Sequence, residues 1–127
     1  MESHGPSARR RVLIEAVVVL AATAQDQADW LDTHEVAPDE IALGFDDAFR
    51  LAGRLAEDGQ LSDGVLPLLR MIDEVFGEIT QDSGVGRWTR AALFTDPGWG
   101  RARQLAREVL TAEGEETSPL PGIQIIR

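Results

Sequence analysis

The residues of this chain whose types and spacing indicate chemistry are its carboxylates. Residues 26–82 contain 15 acidic residues and 3 arginines, a net charge of −12 in a chain whose total is −10. Such a surface repels DNA and anionic membranes and attracts a basic protein. We therefore predict a partner-binding surface made by Asp29, Asp32, Glu35, Asp39, Asp46 and Asp47. The alternative is that these acids only keep a small protein soluble.

The residue types that most enzymes need are missing or badly placed. All 12 basic residues are arginine, and cysteine is absent, which excludes thiolate nucleophiles, cysteine-bound metals and Schiff-base lysines. The residue three positions before His34 is Leu31, whereas a di-iron helix needs a glutamate there. No serine lies in a G-x-S-x-G context, and Gly84-Val85-Gly86 follows no strand pattern. We expect no catalysis, no metal and no cofactor.

The stretch from Val12 to Leu31 is the apolar segment against which the acidic elements are expected to pack. Its apolar residues recur every three or four positions, which predicts a helix over residues 9–33, apolar on nearly all sides in its first half and therefore central. The β-branched run Val17-Val18-Val19 leaves a strand as the alternative. The apolar run is too short for a membrane span, and polar residues follow it where a secretory signal would be cleaved.

Amphipathic patterns predict four further helices. Pro38-Asp39 and Asp96-Pro97 are typical helix starts, and Gly59 and Gly114 are typical helix ends. The predicted helices cover residues 38–58, 63–80, 87–94 and 97–113, with residues 81–86 as a loop. The predicted fold is all-α, a compact single-domain bundle of about five helices with an extended C-terminal tail. Residues 1–8 form a flexible lead, 9–114 the helical domain and 115–127 the tail.

The tail is too apolar to be a simple free end. It contains two prolines followed by Ile123-Gln124-Ile125-Ile126. We expect Ile123, Ile125 and Ile126 to dock on the domain, to pair as a strand or to bind a partner.

A second interpretation concerns the arginines of residues 87–107. Two short helices joined at Thr95-Asp96-Pro97 have the spacing of a helix-turn-helix, and Arg101, Arg103 and Arg107 lie on the second of them. Residues 87–127 nevertheless carry a net charge of only +1. We expect these arginines to pair with the acidic middle of the chain, and Trp88 and Trp99 to hold the two helices together by burying their rings.

The C-terminal third also carries a resemblance. The residues Trp88-Thr89, Ala92-Leu93, Pro97, Trp99, Arg103, Leu105-Ala106-Arg107 and Leu110 resemble the ending of small helical proteins of actinobacteria. An origin in a high-GC bacterium agrees with the abundance of arginine and alanine. In size, acidity and lack of catalytic residues the chain is similar to bacterial immunity proteins and antitoxins, which implies a small helical protein that binds another protein.

The sequence thus predicts a cytoplasmic, non-enzymatic interaction module that binds a basic protein and neither nucleic acid nor membrane. Two alternatives stay open. The first is an accessory or assembly subunit that works through apolar surface, for example as a homodimer. The second is a protein that binds a small molecule in a pocket lined by Phe45, Phe49 or Trp30.

Overall fold

The computed structural model describes residues 6–81 and 86–115, which form seven helical segments and no strand. The segments are α1 (Pro6–Ala21), α2 (Ala24–His34), α3 (Asp39–Phe49), α4 (Ala52–Glu57), α5 (Val65–Gln81), α6 (Arg90–Thr95) and α7 (Pro97–Glu113). The prediction of an all-α bundle is confirmed, and the strand alternative for residues 17–19 is wrong. The predicted tail beyond residue 115, with Ile123, Ile125 and Ile126, lies outside the described residues.

Three long helices build the core. α7 packs against both α5 and α1, and α3 packs against α1. Leu13, Val17 and Leu20 of α1 are fully buried, as expected for a central helix. The buried side of α5 follows the three-to-four spacing of one helix face and consists of Val65, Leu69, Ile72, Val75, Phe76 and Ile79.

The single helix predicted over residues 9–33 is wrong, because the chain breaks between α1 and α2. The Thr23 hydroxyl accepts a hydrogen bond of 3.1 Å from the Asp26 amide and caps α2. The buried Gln27 side chain donates to the carbonyls of Val19 (3.1 Å) and Leu20 (3.0 Å) at the end of α1. The break therefore replaces helical hydrogen bonds with side-chain ones, which an apolar periodicity does not reveal.

The other helix boundaries follow local chemistry more closely. The helix predicted over residues 38–58 is interrupted at Arg50 and Leu51, which divides it into α3 and α4 and raises the segment count. Gly44 lies inside α3 and does not break it. α6 begins at Arg90 after the cap Thr89, later than the predicted residue 87.

The predicted helix stops and starts at the remaining signals are confirmed. Asp96 caps α7 by accepting from the Gly98 amide at 2.7 Å, and Pro97 is its first residue. Gly59 and Gly114 both have φ +72°, the left-handed conformation that ends helices and favours glycine. No helix of the described ranges is long and apolar enough to cross a membrane.

Candidate interaction surface

A groove with a volume of about 590 Å³ lies between α3 and α5. Its floor is aromatic: Phe45 of α3 and Phe76 of α5 are 1% and 7% exposed, and Trp88 lines the groove beside Phe76. The ring centroids of Phe76 lie 6.2 Å from those of both Phe45 and Trp88. These contacts fix the floor, because each ring is held by its neighbour as well as by the core.

The rim of this groove is acidic. Asp39 and Asp46 lie on the α3 side and Asp73 on the α5 side, and no arginine of the described chain lines the groove. Asp46 pairs with Arg50 at 2.9 Å, an exposed pair within one helix, whereas Asp39 and Asp73 form no ion pair with any described residue. Carboxylates around low-dielectric walls concentrate a negative potential in the groove.

The other side of α3 carries a second, smaller depression. It has a volume of about 270 Å³ and lies against α1 and α2, where Glu15, Glu40 and Trp30 line it. The Trp30 indole N–H is buried and has no hydrogen-bond acceptor in the described chain. Val12 lines this depression and is 49% exposed, whereas Leu43, which is 55% exposed, lines the α3–α5 groove. α3 is therefore a ridge between two partly apolar depressions that both carry carboxylates.

The structure separates the six acids that the sequence proposed as partner contacts. Asp39 and Asp46 line the α3–α5 groove, and Asp47 is exposed on the same helix. The other three are exposed on or just after α2: Asp29 accepts a hydrogen bond from Gln25, Asp32 pairs with Arg90, and Glu35 forms the left-handed C-cap of α2.

Sequence reasoning missed the α5 half of the groove. The sequence does not connect Asp73 and Phe76 with α3, because their position beside that helix depends on tertiary packing. Trp88 was expected to brace α7, and it does so by an edge-to-face contact with Trp99 at 5.9 Å. Of the rings proposed to line a ligand pocket, Phe45 lines the groove and Trp30 the second depression. Phe49 stacks on Phe45 at 5.6 Å without lining either depression.

Arg103 and Arg107 of α7 make internal contacts with uncharged acceptors and do not pair with acidic residues as predicted. Arg103 donates to the Leu93 carbonyl at 2.6 Å and to the Gln27 side chain at 3.2 Å, and Arg107 donates to the Ala21 carbonyl at 2.9 Å. The two guanidinium groups thus supply hydrogen-bond donors to backbone carbonyls near the C-terminal ends of α1 and α6. Burial lowers the pKa of the Arg103 guanidinium, as does the nearby charge of Arg107.

The start of α7 contains the tightest ion pair of this region. Arg87 forms two hydrogen bonds to the Asp96 carboxylate, of 2.7 and 3.0 Å, and the Arg87 carbonyl accepts the Trp99 indole N–H at 2.9 Å. The hydrogen bond from Arg87 lowers the pKa of Asp96, assisted by the Gly98 amide. The contact is a planar two-point pair that fixes the loop before α6 onto α7.

Neither metal chemistry nor known relatives identify the site. Across residues 6–81 and 86–115, no three histidine, aspartate or glutamate side chains come together as a set that could hold a metal ion. Comparison with protein-family models, curated proteins and solved structures gave no match. The features of this surface that bear on function are the groove, its charges and the exposed acids of α2 and α3.

Proposed function

We propose that this protein is a non-enzymatic interaction module whose acidic surface binds a basic partner protein, in the manner of an immunity protein or antitoxin. The observation that carries the proposal is the unequal use of charge. Arg90, Arg103 and Arg107 of α6 and α7 are occupied by internal acceptors, whereas Asp39 and Asp73 beside an apolar groove make no ion pair with a described residue.

The physical reason is that unpaired carboxylates around an apolar floor suit binding better than folding. Exposed ion pairs add only about 0–1 kcal/mol each to stability, so pairing these acids internally would stabilise the fold little. Across an interface the same charges accelerate association and disfavour acidic partners. The apolar floor supplies the buried area on which affinity depends.

The test is identification of the partner and its salt dependence. The tagged full-length chain is crosslinked in cells of its host, and the captured proteins are identified and reconstituted from purified components. We expect a basic protein whose affinity falls about tenfold or more when the ionic strength rises from about 50 to 300 mM. An acidic partner, or one whose affinity ignores salt, contradicts the proposal.

A matched variant completes this test. Replacing Asp29, Asp32, Glu35, Asp39, Asp46 and Asp47 by their amides keeps the shape of the surface while removing its charge. Capture of the basic partner should then fail although the circular dichroism spectrum is retained. Unchanged capture by this variant also contradicts the proposal.

A second candidate function is an accessory subunit that works through apolar surface. It is favoured by the exposure of three large apolar side chains, Val12, Leu43 and Phe94. Size-exclusion chromatography with light scattering distinguishes it. A stable dimer that dissociates when residues 120–127 are removed supports this candidate over the first.

A further inference from the structure

We propose that the α3–α5 groove is the docking point on the acidic surface, and that it receives an amphipathic helix with apolar anchors flanked by arginine or lysine. This assignment rests on the proposed function, because it locates the site at which the basic partner binds.

The first support is the shape of the groove. It runs between two helices, has a volume of about 590 Å³, and has Phe45, Phe76 and Trp88 along its floor. An amphipathic helix binds such a groove by laying residues at positions i, i+3, i+4 and i+7 onto the apolar floor. Leu43, which lines the groove and is 55% exposed, extends the apolar contact to its outer edge.

The second support is the distribution of charge on the two walls. Asp39 and Asp46 belong to α3 and Asp73 to α5, so that carboxylates lie on both sides of the aromatic floor. A bound helix presents residues to both walls when its apolar stripe faces the floor. Basic residues on each flank of that stripe would meet a carboxylate on either side, and acidic residues there would be repelled.

The chain's own C-terminal segment is the rival occupant. Residues 116–127 include apolar residues, and 12 residues of extended chain reach at most about 40 Å. Their charge fits poorly, because Arg127 is their only basic residue and Glu116 offsets its charge. Charge complementarity therefore favours a basic helix from another protein.

The experiment uses a designed probe. A synthetic peptide of leucine, alanine and arginine, about 18 residues long, carries leucines on one helical stripe and arginines on both flanks. A second peptide has the same composition with the leucines distributed around the helix. Affinity for the full chain is measured by isothermal titration calorimetry at two salt concentrations.

Two double variants of the full chain are matched in charge and in helix. Asp39→Asn with Asp73→Asn removes one groove carboxylate from α3 and one from α5. Asp47→Asn with Glu74→Gln removes one exposed carboxylate from each of the same helices, outside the groove lining. Leu43→Ser removes an apolar contact at the edge without disturbing the core.

We expect the amphipathic peptide to bind about tenfold more tightly than its scrambled partner, and the groove variant to lose about tenfold in affinity while the control variant loses less than about threefold. Leu43→Ser should also weaken binding. All variants should keep the thermal midpoint of the parent chain to within a few degrees.

Three results overturn the assignment. Equal losses of peptide affinity in the two double variants mean that the peptide responds to the overall negative charge and not to the groove, which leaves the proposed function standing. No binding of either peptide means that the groove does not accept a basic helix, whatever the host partner does. A tenfold gain in affinity when Ile123 and Ile126 are replaced by serine means that residues 116–127 already occupy the groove.

Discussion

Two regions of this bundle use charged and polar side chains in opposite ways. Where α1, α2, α6 and α7 meet, Gln27, Arg103 and Arg107 donate to backbone carbonyls, and Arg103 also donates to the Gln27 side chain. Along the α3–α5 groove, Asp39 and Asp73 lie beside aromatic rings without a cationic partner among the described residues. The first arrangement stabilises the fold, and the second leaves charge available to a partner.

The contrast predicts where mutations should affect folding and where they should affect binding. A buried polar group costs free energy unless its donors and acceptors are paired. Nearly all buried polar groups where α1, α2, α6 and α7 meet must therefore form hydrogen bonds for the fold to be stable. Even there, the Arg103 Nε atom is buried without an acceptor in the described chain. The carboxylates of the groove are hydrated in the free protein, so their removal should change stability little.

Gln27→Leu should produce the largest loss of stability. Gln27 is fully buried, and the substitution keeps its volume but leaves the Val19 and Leu20 carbonyls and the Arg103 guanidinium short of a partner. We expect the free energy of unfolding to fall by about 3 kcal/mol, measured by urea denaturation. The exposed Gln25 on the same helix is the control, and Gln25→Leu should change the value by less than about 0.5 kcal/mol. A loss below about 1 kcal/mol for Gln27→Leu would show that the Gln27 side-chain amide does not stabilise the break between α1 and α2.

Asp96→Asn should have the next largest effect, with a defined pH dependence. Asparagine keeps the helix cap but weakens the two-point pair with Arg87, so we expect a loss of about 1–2 kcal/mol at pH 7. Because folding lowers the pKa of Asp96 below its ordinary value of 3.8, the carboxylate stabilises the folded state at and above that pH. The difference between the two proteins should shrink as the pH falls below 3.8 and through the lowered pKa.

Urea denaturation of both proteins between pH 7 and pH 2 checks this expectation. Asp47→Asn removes an exposed carboxylate from α3 and should stay within about 0.5 kcal/mol of the parent at pH 7. A constant difference between the parent and Asp96→Asn down to pH 2 would contradict the assigned role of the Arg87 pair.

Asp73→Asn tests the other half of the comparison. Asp73 is exposed and makes no ion pair with a described residue, so we expect a change in unfolding free energy within about 0.5 kcal/mol of zero. The measurement is again urea denaturation, beside Asp96→Asn. A destabilisation above about 1 kcal/mol would mean that the groove acids serve the fold.

The pair between Arg90 and Asp32 should contribute least. It joins α6 to α2 at 3.0 Å, but both side chains are more than half exposed. A double-mutant cycle with alanine at each position should give a coupling of about 0.3 kcal/mol that disappears in about 0.5 M salt. A coupling above about 1 kcal/mol that persists in salt would show that this pair stabilises the fold as the buried hydrogen bonds of Gln27 and Arg103 do.

The sequence predicts the features that local chemistry decides. Asp96-Pro97 at a helix start and Gly59 and Gly114 at helix ends were identified because each acts within one turn of the chain. The central position of α1 followed from its apolar residues alone. The break before Thr23 did not, because it depends on Gln27 and on Arg107 from a distant helix.

The candidate site was only half predictable for the same reason. Asp39 and Asp46 were proposed from the density of acids, and they do line the groove. Asp73 and Trp88 join them only through the packing of α3 near α5 and of α6 and α7 onto the bundle. Charge density in the sequence identifies an acidic surface, whereas the aromatic floor that gives the groove its shape requires the structure.

The most direct test of the acidic groove as a binding site is to map the bound probe on the protein. Amide and indole NMR signals of the full chain are followed while the amphipathic leucine–arginine peptide is added. We predict the largest shifts at Leu43, Gly77 and the Trp88 indole, with α7 residues such as Arg101 unchanged. Shifts centred on α6 and α7, or spread evenly over the exposed acids of α2 and α4, would contradict the account.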